Sequence, residues 1–171
     1  MSPTVERLRD LFTYDPEEGV LRWRNALKRY KQYPAGSVAG HLDTDTGYWK
    51  VWVDRQHCLA HRLIWIYMMG EDASERIDHR DTVRHHNTWR NLRLASQTHN
   101  NANNNMRSDN TSGFKGVSTG KNGRWRASIA QHGRFYALGT YDTREEAAAV
   151  YDAKARELYG EFARTNFGEH L

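Results

Sequence analysis

Apolar residues recur at Val5, Leu8, Leu11 and Phe12, three or four positions apart, with Pro3 ahead of them. That spacing predicts an amphipathic helix over Pro3–Phe12, with proline where a helix start tolerates its missing N–H. Shorter apolar runs follow at Val20–Trp23, Tyr48–Val53 and His57–Leu59, set off by Gly19, Gly36, Gly40 and Gly47. They read as strands punctuated by turns. Arg62–Met69 is apolar on most sides and stops at Gly70, the pattern of a buried helix closed by glycine.

The pattern changes in the last third of the chain. Gly113–Val117, Arg124–Gln131 and Arg134–Tyr141 alternate like strands, with hairpin turns at Lys121-Asn122-Gly123 and Gln131-His132-Gly133. Alternation on the middle strand sends Arg124, Arg126 and Ser128 to one face and Trp125, Ala127 and Ile129 to the other. Thr143–Tyr159 is a helix: Thr143 and Glu146 form a capping box, and Gly160 ends it. Ala147, Val150, Tyr151, the Lys154 stem, Ala155 and Leu158 line one side of it. Between the two patterns, Asn100–Asn110 offers almost nothing to a core. We expect a module over 1–105, a linker at 106–112 and a second module over 113–171.

The composition allows this division. The chain has 171 residues, 38% of them hydrophobic, and six Trp and nine Tyr supply bulk for packing. Net charge is +4, but its distribution is more informative than the total. Six basic residues and one acid lie between Arg107 and Tyr136, which leaves the rest slightly acidic. A local basic stretch suits an anionic partner. Cys58 is the only cysteine, so an intramolecular disulfide and a multi-cysteine zinc site are excluded. The polar start of the chain and the shortness of its longest apolar run, Leu63–Met69, predict no leader and no membrane span. The expected compartment is the cytoplasm, that of the host cell if a phage encodes the chain.

The residues that carry chemistry lie at 76–105. Asp78 offers a hard carboxylate oxygen, and Asn100 an amide oxygen on a short helix starting near Ser96. Such donors suit Mg²⁺ or Mn²⁺ better than zinc. His79 is positioned to deprotonate water near neutral pH, with Asn91 holding its ring. His57 and His61, four apart around Cys58, mimic a zinc pair, but no second pair follows at finger spacing, which favours structural roles. His85 and His86 read as a solvated loop, and His99 as outward-facing.

The string Asp78-His79, Asn87, Asn91-Leu92-Arg93 and Asn100 resembles the HNH homing endonucleases of phages and group I introns, in the variant with Asn at the last position. His61-Arg62-Leu63-Ile64-Trp65, ending at Gly70, is similar to the same family. The resemblance covers residues 48–105 well. It implies a ββα-metal (His-Me finger) nuclease module at about 76–105. In that module Asp78 and Asn100 ligate one divalent metal, Mg²⁺ or Mn²⁺, His79 is the general base and Asn91 positions it. Asn91 and Asn100 follow Asp78 by 13 and 22 positions, as in intron-type members. The chain departs from its relatives at Asp81-Thr82, where Asn-Gly is common.

A second resemblance covers residues 113–168. Gly113-Phe114-Lys115-Gly116-Val117, Gly123-Arg124-Trp125-Arg126-Ala127, Leu138-Gly139-Thr140-Tyr141-Asp142-Thr143 and Thr165-Asn166-Phe167 are similar to the DNA-binding domain of plant ethylene-response factors. It implies a three-stranded antiparallel sheet packed on one helix, with Lys115 and Arg124 at basic contact positions; Arg126 adds a charge where those domains are often apolar, and with Lys121 and Arg134 it completes the expected DNA-binding set. Ala137 replaces a contact Trp and Ser118 a basic residue, so phosphate anchoring transfers better than base readout.

Together these features predict an α+β chain acting as a metal-dependent endonuclease on double-stranded DNA, as a monomer or weak dimer. The rival readings are a non-enzymatic DNA-binding regulator with a decayed nuclease fold, and an RNA or single-strand binder that stacks bases on aromatic side chains.

Overall fold

A computed structural model describes residues 2–26, 33–104, 106 and 108–168. Arg107, part of the expected linker and of the basic stretch, lies outside them. The chain is mixed α+β with small antiparallel sheets, and it divides into two compact units, Met1–Leu94 and Ala95–Leu171. No described helix is long and apolar enough to cross a membrane.

In the first unit, α1 (Val5–Leu11) is capped by Thr4, whose side chain accepts from Arg7 N. Leu8 is its fully buried residue. The helix ends before Phe12, which turns extended and opens β1 (Phe12–Asp15), paired antiparallel with β2 (Val20–Trp23). The sequence spacing placed Phe12 on the helix. Its ring packs instead against Trp23 across the hairpin, 4.7 Å between centroids. A second sheet runs β3 (His41–Leu42), β4 (Trp49–Val53) and β5 (Gln56–Leu59). Alternation on β4 buries Val51 and Val53 and exposes Trp52. The helix α2 (Ala60–Met69) buries Ala60, His61, Leu63, Ile64 and Ile66 and stops at Gly70, φ 87°. Leu8, Phe12, Leu21, Val51, Val53, Leu63 and Ile64 form one core. Against this core pack Ile77, on β6 (Arg76–His79), and Trp89. The last strand, β7 (Leu92–Ala95), pairs with β6.

The second unit begins with α3 (Gln97–Asn103), capped by Ser96, whose hydroxyl accepts from His99 N. The division at Leu94/Ala95 falls earlier than the Asn-rich boundary expected at 106–112. The reason is packing: Ala102 of α3 joins a cluster with Ile129, Tyr151, Ala155 and Tyr159. His99, expected to face outward, stacks on Phe162, with centroids 4.3 Å apart and rings 10° from parallel.

The strands β8 (Val117–Thr119), β9 (Trp125–Gln131) and β10 (Arg134–Tyr141) form a sheet in the order β10-β9-β8. Residues 113–116, expected as strand, form turns instead, because Gly113 and Gly116 take positive φ. A Cβ on Gly116 would collide with the Tyr151 ring. The helix α4 (Arg144–Tyr159) starts with the full Thr143/Glu146 capping box. Its Ala147 and Ala148 cluster with Val117 and Ala127, so small side chains bring helix and sheet close. Asp152, absent from the expected face, is fully buried and accepts from Asn166 N, Asn166 Nδ2 and Phe167 N.

Candidate active site

Between β6 and β7 the chain makes a long turn that collects its own polar groups. Arg80 N donates to Asn91 O at 2.9 Å and Thr82 N to His79 O at 2.9 Å. Thr82 has φ 66°, a left-handed backbone that a β-branched residue rarely adopts. The strain sits where relatives often carry glycine, and neighbouring bonds hold it. Asp81 N donates to Asn91 Oδ1 (3.1 Å), and Asn91 Nδ2 donates to Asp81 Oδ1 (3.0 Å) and to His86 O (2.7 Å). Asp81 also accepts from Val83 N (2.8 Å) and faces His86 Nδ1 (2.8 Å).

The hydrogen bonds of the Asn91 side chain therefore run to Asp81 and His86, not to the His79 ring. The ring lies against Asn87, with His79 Nε2 and Asn87 Oδ1 3.0 Å apart. The cause is placement: Asn91 closes a 3-10 turn, Trp89–Asn91, and faces the Asp81 side of the hairpin, whereas Asn87 sits in the loop beside His79. Asn87 Nδ2 donates to His85 O (3.2 Å), which orients the amide oxygen toward the ring. His79 Nε2 then carries the proton and Nδ1 the lone pair. Asn87 is anchored in turn by Tyr14, whose phenol donates to Asn87 O at 2.7 Å. Burial pushes that phenol far up, so it stays a donor. The β1–β2 turn closes on the same loop through Gly19, where a Cβ would strike the backbone of Asn87 and Thr88.

His79 is buried, at 5% exposure. Burial lowers its pKa below the ordinary histidine value, against opposing contributions from Asn87, Asp81 and Asp78. The imidazole is therefore neutral near pH 7. Two more rings flank it: His61, 5.2 Å away between centroids and 83° to its plane, and Tyr48, 6.3 Å away. His61 itself is held neutral, its pKa pushed down to about 3 by burial, then by His79 and Arg62. Of these neighbours, Asn87 was visible in the sequence only as part of a motif, and His61 read as structural.

Asp78 is buried beside His79 in the chain, and Arg93 reaches it from β7. Arg93 Nε and Nη2 donate to Asp78 Oδ2 at 3.0 and 2.9 Å. Among the described residues no group of three or more His, Cys, Asp or Glu side chains could hold a metal ion. Asp78 brings one carboxylate. Asn100 lies in the second unit, half-buried on α3, and its side chain makes no hydrogen bond among the described residues. A carboxylate oxygen and an amide oxygen are each hard donors of a kind that suits Mg²⁺ or Mn²⁺ better than zinc.

The expected cationic residues of the second unit fare differently. Lys115 points inward: its ammonium donates to Ala102 O (2.6 Å) and Asn104 O (2.8 Å), and burial lowers its pKa to about 8. It fastens α3, a role its sequence position did not signal. Arg124 is exposed, paired with Asp142 (2.8 Å) and donating to Thr140 O (3.2 Å). Arg126 is exposed, opposite Ser118 on β8 and Thr140 on β10, and its side chain makes no hydrogen bond or ion pair among the described residues. Lys121 is exposed in the β8–β9 turn, and Arg134 lies over Tyr136 at 6.0 Å.

The HNH endonuclease family matches residues 58–102. Protein 3.8 of Escherichia phage T7 is 37% identical over 89 residues, which are 52% of this chain and 73% of that protein. An uncharacterized HNH endonuclease of Acanthamoeba polyphaga mimivirus is 34% identical over 108 residues, 62% of this chain and 56% of that protein. An ethylene-responsive transcription factor of Arabidopsis thaliana is 54% identical over 59 residues, 33% of this chain. The chain spans 23% of the plant factor's length and 56% of the mimivirus protein's. It belongs to the family of the phage protein and carries an HNH endonuclease domain.

Proposed function

We propose that the chain is a metal-dependent HNH endonuclease of the homing type that hydrolyses phosphodiester bonds in double-stranded DNA. In this reading residues 76–105 work as the ββα-metal finger, and the sheet β8–β10, backed by α4, anchors the chain on DNA. The observation that carries it is the state of His79: buried, neutral and fixed by Asn87 in one tautomer, directly after a buried carboxylate. A buried, neutral imidazole held by an orienting amide is suited to act as a general base for water. Asn91 positions the base indirectly, by holding the turn that carries His86 and Asn87. Asp78, with Asn100 proposed on the sequence pattern, would hold the Mg²⁺ or Mn²⁺. Such an ion supplies charge stabilisation at the scissile phosphate.

In the second unit Arg126 and Arg124 stand on the open sheet face, with Lys121 and Arg134 at its turns. They would neutralise phosphates, and affinity would fall steeply with salt. Lys115 contributes by fastening α3, not by touching DNA.

The test is cleavage of supercoiled plasmid carrying sequence from the source genome, with Mg²⁺ or Mn²⁺ and with EDTA. Open circles or linear DNA that appear only with metal, and not with His79→Ala, support the reading. Cleavage that persists in EDTA contradicts the metal. A chain that retards DNA in a gel but never cuts it is a DNA-binding regulator with a decayed nuclease fold, or a nuclease whose target the plasmid lacks.

A further inference from the structure

Buried polar side chains are hydrogen-bonded as a rule, and exceptions point to function. In the first unit the buried Asp78, His79, Asn87, Asn91 and Arg93 all follow the rule. His61 is the exception among the described residues. It is 6% exposed, yet its ring nitrogens have no hydrogen-bond partner; its contacts are the rings of Tyr48 and His79, each 5.2 Å away. No fully covered side-chain nitrogen or oxygen is left without a partner. The small exposed remainder of His61 therefore includes its ring nitrogens, on a ring that packs against His79.

We propose that His61 is a second catalytic histidine, whose imidazole N–H donates a hydrogen bond to a non-bridging oxygen of the scissile phosphate. The proposal rests on the nuclease reading above. A neutral imidazole offers one N–H and one lone pair, and it is never a competing cation. The two rings touch edge to face, 5.2 Å between centroids, and in this proposal one phosphate group with its attacking water meets both. α2 fixes the ring from the helix start, with Leu63 and Ile64 buried in the core just beyond. A donor held this rigidly toward developing negative charge acts with little reorganisation. The sequence placed His61 near Cys58 and His57 as a zinc mimic, but the fold turns it away from that pair. His57 contacts His41 and Trp52 instead.

Two measurements test it on the full chain. The first is the ¹H–¹⁵N spectrum of the histidine rings, with the His61 signal identified by its loss in His61→Phe. Adding a duplex oligonucleotide in EDTA should shift the His61 nitrogens, as a new hydrogen bond to phosphate requires. An unmoved His61 signal under saturating DNA overturns the proposal, whether or not the chain cuts. The second is cleavage at saturating DNA with Mg²⁺. His61→Phe keeps the ring packing but has no N–H, and should lower kcat roughly 100- to 1,000-fold with little change in Kd for DNA. His61→Asn, which retains a donor, should recover part of that loss. A His61→Phe chain that cuts at the wild-type rate overturns the proposal, as does an Asn variant no better than Phe. A wild-type chain whose His61 shifts with DNA but which never cuts overturns the nuclease reading and keeps His61 as a phosphate contact.

Discussion

Both units bury polar groups, but they use them for different ends. In the second unit Asp152 accepts from the Asn166 and Phe167 backbone, and Ser112 Oγ bonds the Phe114 and Val117 carbonyls. Each polar group there ties one stretch of backbone to another, and the cations Arg124 and Arg126 stay outside. In the first unit side chains hold one another: Arg93 on the buried Asp78, Asn87 on the buried His79, and the buried Asn91 on Asp81. Low local dielectric strengthens such pairs and makes each missing partner costly. On the proposed reading, the difference teaches that a surface for phosphates is left exposed, whereas the base is buried and held by an orienting partner.

The comparison can be broken most forcefully at Arg93. Replacing it with Leu leaves the buried Asp78 carboxylate without its guanidinium and should destabilise the first unit by about 3–5 kcal/mol in denaturant unfolding. A change below about 1 kcal/mol would mean that the pair is as good as solvated. Asp152→Ala is the counterpart in the second unit. It removes the acceptor for three donors and should cost about 2–4 kcal/mol, while the His79 ring signals of the folded chain stay in place. Movement of those signals would show that the two kinds of buried polar group are not separate.

A smaller effect sharpens the contrast through pH. His61 ordinarily titrates near 6.5 but is held at about 3 in the fold. The unfolded chain takes up the proton first, so the stability present above 6.5 is lost as pH falls toward 3. The slope approaches about 1.4 kcal/mol per pH unit. His79, shifted in the same direction, adds to the loss. Unfolding curves at pH 7 and pH 5 should show a smaller drop for His61→Phe than for wild type. Equal drops would place the sensitivity elsewhere.

Where signals were local, the sequence carried the fold well. Val20–Trp23 and Arg134–Tyr141 are strands with the expected bounds, Gly70 ends α2, and the Thr143–Glu146 capping box is present. Local signals failed where a distant partner decided the outcome. Phe12 fits a helical stripe, yet pairing with Trp23 draws it into a strand. Gly113–Val117 alternates like a strand, yet Asn166 bonds both the N–H and the carbonyl of Lys115 and fixes a turn there. At the candidate site the residue types were legible and their partners were not. Asn91 looked like the holder of His79, but the long turn brings Asn87 to the ring and leaves Asn91 to brace Asp81. Lys115 carried the right charge for DNA, but its neighbours make it a fastener of α3.

The central claim is that chemistry resides in the His79 pocket and phosphate anchoring on the open β9 face. It is tested most directly by measuring DNA affinity and cleavage at saturating DNA for His79→Ala and for the Arg124→Ala/Arg126→Ala double variant. We expect His79→Ala to lose cleavage by roughly 100-fold or more at unchanged affinity. The double variant should bind several-fold more weakly, with a salt dependence shallower by about one to two ions, and should cut at near wild-type rate once saturated. Near-wild-type cleavage by His79→Ala would contradict the account, as would unchanged affinity and salt dependence in the double variant.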